Sequence, residues 1–310
     1  MTTTTYFHPT TTVADPQLAS RAENAQAQAW YALHSSFSEQ YRQSLGIAVT
    51  GLGGGVVTSV RDDPTEYWSQ VLGLGVTEPI TARLMADIVA FYEAEGTASA
   101  TIHIAPALLP PDWTAIAGEF GLIPGPELLK MAAPLDRVRA TGQTRLRVGR
   151  ARPEDADEWI DVLMRMFDVP DALTPVFTTL FESPVSTPFA AWDGDRMVAV
   201  ANLARSGRTA LLCSATTLPG HRGLGAQSAL IAARIQAAYD AGCAWVVSET
   251  ARLWHGDVNT ATANLERAGL SPLYARQGWI WTNPAYHAGY GGHTGHAGYG
   301  AASTRPGGAR

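Results

Sequence analysis

The chain has 310 residues, 46% hydrophobic and 16% charged, with a formal net charge of −6. That length allows one large domain or two ordinary ones, and that apolar share excludes a solvated, disordered polymer. The acidic balance argues against nucleic acid or an anionic membrane surface as the main partner.

The first 20 residues are Thr-rich, offer little to bury and lack the basic start and apolar stretch of a signal peptide, so disorder is expected. No apolar run reaches the roughly 18 residues of a membrane span. Cys213 and Cys243 are the two cysteines, too few for a disulfide framework. They read as small buried hydrophobes in a reducing compartment, and a cytoplasmic location is expected.

A first domain is expected over 21–135. Gly53-Gly54-Gly55 lies between two apolar runs and reads as a hairpin or bulge, and Asp62-Asp63-Pro64 as the turn after it. A strand over 71–76 leads through Pro79 into a helix over 80–95 that Gly96 ends. A strand over 100–104, a helix over 113–119 and a strand over 128–133 follow. Charged and small residues near 134–145 suit a linker.

The second domain is expected over 146–284. A strand over 146–151 precedes a helix with Pro153 in its first turn and Glu154, Asp155 and Asp157 near its positive end. Runs at 189–192 and 197–203 flank Asp193-Gly194-Asp195 as a hairpin. A strand over 209–217 then enters an Ala-rich helix over 225–241, which Gly242 ends before a short strand over 244–248. Another helix reaches Arg267-Ala268-Gly269-Leu270 and precedes a last strand pair. Both halves thus share an order of strand, helix, Gly stop, strand, helix and strand, which predicts an α/β protein and suggests an internal duplication. Residues 287–310 form a Gly- and His-rich tail expected to be disordered; His287, His293 and His296 would hold a metal only loosely, so no metal site is assigned.

The informative stretch joins the strand over 209–217 to the helix that follows. Gly223 and Gly225 let main-chain amides approach an anion, the helix start adds unpaired amides and the positive dipole end, and Arg222 adds a charge that fits phosphate. Glycines at this spacing also serve simple tight turns. Neither a P-loop nor a dinucleotide fingerprint fits the residues present.

Arg222-Gly-Leu-Gly225, with Pro219 before it, resembles the acyl-CoA signature R-x-x-G-x-G/A of the GCN5-related N-acetyltransferases (GNATs). Arg150-Ala-Arg-Pro-Glu-Asp155 is similar to that family's first strand entering its first helix, and Arg267-Ala-Gly-Leu270 to the Gly-Phe closing its last helix. The first half resembles the family only in element order, with Glu78-Pro-Ile-Thr81 where the signature would stand, so it is not expected to bind CoA in the family's way. The resemblance implies two tandem acyl-CoA N-acyltransferase-fold domains, each a mixed sheet flanked by helices, the first degenerate. It assigns the pantetheine arm to Ala215, Thr216 and Thr217, and the pyrophosphate to Arg222, Gly223, Leu224, Gly225, Ala226 and Gln227. The reaction implied is direct attack by a small-molecule amine on acetyl-CoA or another acyl-CoA.

Three departures stand out. Gln227 occupies the final Gly/Ala position of the signature, where it would crowd the phosphates or donate to them. Leu265 stands where many members carry a proton-donating Tyr; Tyr274 is the nearby substitute, or a half-buried sheet tyrosine. The strand over 209–217 has no acidic residue, which leaves Glu249, past the apolar run 245–247, as candidate base with a raised pKa, or as a structural carboxylate. Asn259 and Asn264 read as pantetheine contacts or helix caps. His255, beside Trp254, is a weaker base candidate, and His221 faces phosphate or solvent. The missing Tyr also leaves open other acyl-CoA chemistry, decarboxylation or thioester cleavage, and a non-catalytic CoA-binding module. Substrate choice falls to the first domain and to loops over 167–188 and 251–258.

Overall fold

Asp15 accepts the amide of Gln17, and Pro16 takes the first turn of helix α1 (Pro16–Ser35), a combination that starts helices well. The expected disorder to residue 20 therefore fails for residues 16–20. Ala19, Ala22, Ala25 and Ala27 are buried, and their small side chains let the helix lie close on a sheet. The computed structural model describes residues 15–252 and 259–287. The expectations for the first 14 residues, for Trp254 and His255, and for the tail beyond 287 lie outside the described residues.

Helix α2 (Glu39–Leu45) precedes the hairpin of β1 (Ile47–Leu52) and β2 (Gly55–Val60). Gly53 and Gly54 turn it at φ 55° and 72°, conformations that glycine adopts without strain. Next come β3 (Gln70–Leu72), α3 (Ala82–Glu95), β4 (Ser99–His103), α4 (Trp113–Glu119) and β5 (Ile123–Pro134). The second half comprises β6 (Arg147–Arg150), α5 (Ala156–Phe167), α6 (Thr174–Glu182), β7 (Ser186–Asp193), β8 (Arg196–Ser206) and β9 (Thr209–Thr217). It continues through α7 (Ala226–Asp240), β10 (Trp245–Ala251), α8 (Thr260–Ala268), β11 (Ser271–Thr282) and α9 (Pro284–His287). The segment over 167–188, expected as a loop, holds α6, whose Val176, Phe177, Leu180 and Phe181 pack into the core with α5.

All eleven strands form one sheet in the order β1-β2-β3-β4-β11-β5-β10-β9-β8-β7-β6. The halves interlock at its centre. β11, from the second half, lies between β4 and β5 of the first; β5 lies between β10 and β11 of the second. This corrects the expected last strand pair: residues 271–282 form one long strand, and its partners come from the other half. Helices α7 and α8 pack with Leu212, Val246, Met131 and Ala133, whereas Ala22 and Ala25 of α1 pack with the alternate residues Leu211, Val247 and Ala132. The period of two along each strand sends these sets to opposite faces.

Candidate active site

β9 and β10 run parallel and pair at four positions, from Trp245↔Thr209 to Ser248↔Leu212, and then part. Beyond that point Glu249, Thr250 and Ala251 pair only with β5, and Cys213, Thr216 and Thr217 only with β8. A bulge bends β9 away: its register against β8 shifts between Asn202↔Cys213 and Val200↔Thr216, with Ser214 at φ 48°. An extra residue in one strand kinks it and ends regular pairing. Ser248 Oγ donates to Leu212 O at 2.8 Å, a side-chain tie at the last paired position. The result is an opening whose β9 edge, among the described residues, has no strand opposite, placing Ala215, Thr216 and Thr217 along it.

Past β9, a turn over Pro219–His221 brings Arg222 to the surface in an extended conformation. Gly223 and Gly225 follow at φ 80° and 79°. Gly225 is the N-cap of α7 and supplies no capping side chain. Among the described residues, the amides from Gly223 to Ala226 donate to no protein group. A Cβ built at Gly223 would meet nothing within 4 Å, so the approach to these amides is open. A 15-residue helix that begins with free amides and a positive dipole end attracts an anion.

The loop is braced from behind by the segment expected to be a mere linker. Thr144 Oγ1 donates to Leu224 O at 2.7 Å, turning that carbonyl inward. A Cβ on Gly225 would lie 2.4 Å from Gln143 O, and one on Gly142 would lie 2.3 Å from Ala229 Cα. Both glycines are required by close approach. Gln227 neither blocks the loop nor points to it. Its Nε2 donates to Thr216 O at 2.8 Å and Thr217 Oγ1 at 2.9 Å, fastening the end of β9 to the start of α7. Those two acceptors are therefore already engaged.

The catalytic candidates fare differently. Glu249 is not a base with a raised pKa. Burial would push its carboxyl up, but Arg276 and then Lys130 outweigh that and hold it at about 2. Its Oε2 lies 2.6 Å from Arg276 Nη2 and 2.5 Å from Lys130 Nζ. Glu23, from α1, completes the network with Oε2 2.5 Å from Arg276 Nη1. Tyr274 gives its hydroxyl to Glu23 Oε1 at 2.6 Å. Burial and then that carboxylate push its pKa well up, which disfavours it as a proton donor. Leu265 is buried in the core beside α7, so the usual Tyr position is apolar packing here.

Asn259 caps α8: Oδ1 accepts from Ala261 and Thr262, and Nδ2 donates to Ala251 O at 2.6 Å. Those bonds use its side chain structurally and leave it poorly placed as a pantetheine ligand. Asn264 accepts from Arg267 on the helix surface. His221 Nε2 lies 3.7 Å from Asp193 Oδ2.

Glu23, Lys130, Arg276 and Thr144 were not anticipated. A signal for one existed: Lys130 is the single lysine among 310 residues and sits in the apolar run Leu128-Leu-Lys-Met-Ala-Ala133, where a charge needs partners. Pairing across 251 residues, as between Glu23 and Tyr274, leaves no local trace.

Known proteins can be set beside this geometry. Residues 130–248 match the family model described as an acetyltransferase (GNAT) domain. The match begins inside β5, the strand the first half lends to the second. No curated protein matches the chain. A GCN5-related N-acetyltransferase from Kribbella flavida superposes with a TM-score of 0.60 at 16% identity, over 87% of this chain and 98% of its own. One from Sphaerobacter thermophilus gives 0.54 at 12% identity, over 87% and 94%. A tandem GNAT protein from the clavulanic acid biosynthesis pathway gives 0.52 at 16%, over 76% and 83%. The likeness to these structures is one of fold. Residues 130–248 thus match an acetyltransferase (GNAT) domain, and the chain shares its fold with GCN5-related N-acetyltransferases, a tandem one among them.

Proposed function

We propose that the protein is an acyl-CoA-dependent N-acyltransferase, most simply an acetyltransferase, whose acceptor is a small-molecule amine. The observation that carries this is the pairing of two features between Cys213 and Ala226. β9 leaves β10 with its edge unpaired, and α7 then begins with open amides behind Arg222.

Amides of Gly223 to Ala226, with the Arg222 guanidinium, would take the pyrophosphate through charge-assisted hydrogen bonds. The edge of β9 at Cys213 to Thr217, opposed by no strand among the described residues, would take the pantetheine arm as an added strand takes its place in a sheet, through the groups that Gln227 does not hold. Gln227 contributes by holding β9 to α7, which keeps the opening fixed. When bound, acyl-CoA supplies the thioester carbonyl that the amine attacks. A main-chain amide of the bulged β9 segment would steady the charge developing on that oxygen. Glu249 stays ionised near neutral pH and is no proton acceptor; the amine must lose its proton to water or to a second group.

The test is the release of free CoA from acetyl-CoA with and without a panel of amines. Release that depends on the amine, yields the N-acetyl product and falls in Arg222→Ala is the expected result. Release independent of added amine would favour thioester cleavage, and none, despite binding, a non-catalytic CoA module.

A further inference from the structure

We propose that the first half completes the acceptor site of the second, with Glu249 binding the acceptor as a cation and Tyr67 forming the facing wall. This deepens the acyltransferase reading and rests on it.

The buried network holds two carboxylates and two cations, so its interior is balanced. Its members are not equally placed. Side-chain exposure is 1% for Glu23, 2% for Lys130, 0% for Arg276 and 19% for Glu249. Glu249 Oε2 takes both cations, and among the described residues no protein donor reaches Oε1. Both cations thus meet one carboxylate oxygen, and the exposed part of the network belongs to Glu249. Glu249 is also the first residue of β10 past the point where β9 departs, beside the path assigned to the thioester. A carboxylate that stays ionised there is a ligand for ammonium or guanidinium.

The facing wall comes from the loop between β2 and β3. Asp63 binds that loop together: Oδ1 accepts from the Thr65 amide and hydroxyl, and Oδ2 from the amides of Tyr67 and Trp68, all within 2.8 Å. This fixes Tyr67, which is half-buried and meets Trp68 edge-on at 5.3 Å and Trp30 at 6.4 Å. Trp30, on α1, is half-buried too and stacks on Trp68 at 5.3 Å and 11°. Burial and then the charge of Glu249 push the Tyr67 hydroxyl up to about 12, with Arg276 and Cys213 also within electrostatic reach. Tyr67 thus packs, from the first half, against a cluster that joins Trp68 to Phe177, Val200 and Leu218 of the second. α1 closes the junction, its Gln26 accepting from Lys130. Aromatic faces beside a fixed anion suit a cation carried on an apolar body. The acceptor class is an amine charged at neutral pH, with no carboxylate next to it.

Acetyl transfer is measured with cationic primary amines (benzylamine, phenethylamine, spermidine, lysine methyl ester) and with neutral ones of like size (aniline, O-benzylhydroxylamine). Glu249→Gln alone leaves two buried cations sharing the single carboxylate of Glu23 and can unfold the protein. The charge-balanced pair Glu249→Gln with Lys130→Met removes one charge of each sign, and Tyr67→Ala probes the wall without touching the network. Cationic amines are expected to give a kcat/KM about tenfold or more above the neutral ones. The balanced pair and Tyr67→Ala are each expected to raise the acceptor KM about tenfold, kcat changing less than about threefold, as lost binding rather than lost chemistry. Acetyl-CoA Kd, measured without amine, stays within about twofold in both variants. Preference for neutral amines, no transfer to any cationic one, or an unchanged acceptor KM in either variant overturns the proposal. Wild-type protein that binds no acetyl-CoA overturns instead the reading it rests on.

Discussion

Among the described residues, two places bring a parallel strand pair to a helix, and one of them is open. In the second half β9 and β10 part, and α7 starts on Gly225 with no capping side chain. In the first half β3 and β4 pair at Gln70↔Thr101 and Val71↔Ile102, and the space beyond is filled by Leu74, Ile80, Ile104 and Ala105, all buried. α1 closes it further: a Cβ on Gly73 would lie 2.8 Å from the Ala27 Cβ. α3 is capped by its own Thr81, whose Oγ1 accepts from Leu84 at 3.2 Å. Equal element order does not make equal sites. What separates them is the residue at the helix start and whether apolar side chains occupy the gap.

That contrast can be broken most forcefully at Gly223. Space around it is open, and Asp tolerates its left-handed backbone better than most residues. Gly223→Asp should therefore fold, yet weaken acetyl-CoA binding about 100-fold by setting an anion where an anion must sit. Calorimetry on the variant, with a melting curve as control, checks both halves of that statement. Arg222→Ala should cost about 10- to 30-fold, the worth of a charge-assisted bond, read as Kd and as its flattened salt dependence. Thr144→Val removes the brace on Leu224 O and should weaken binding about fivefold, near 1 kcal/mol.

In the closed half, Thr81→Ala should lower stability by about 1 kcal/mol through loss of the cap, without creating a second CoA site. The smallest effect is expected from pH. Glu249, held at about 2 against an ordinary 4.5, is ionised throughout pH 5 to 9 and adds no inflection to the rate profile there. Its lowered pKa gives stability that is complete above the ordinary value and is lost as pH falls through about 2. An acid limb between pH 5 and 7 that vanishes in the balanced pair would contradict this.

Much of the second half was legible. The strand over 209–217 and the helix around 226–240 follow from β-branched and Ala-rich runs punctuated by glycine, and Arg222-Gly-Leu-Gly225 pointed to the loop. The helix α1 was hidden because Ala, Gln and Asn give a weak apolar stripe; its burial depends on close approach rather than on large side chains. The exchange of β5 and β11 was out of reach, since a strand's sequence shows that it pairs but not with which half. The site was misread at Glu249 for the same reason. Its partners Arg276 and Lys130 lie 27 and more residues away, and only their convergence turns a candidate base into a fixed anion.

Titration calorimetry of the wild-type chain with acetyl-CoA bears most directly on the central claim. One equivalent should bind per chain, with binding about 100-fold weaker in Gly223→Asp and unchanged in Thr81→Ala. No saturable binding, two equivalents per chain, or the same affinity in Gly223→Asp would contradict the assignment of the α7 start as the phosphate site.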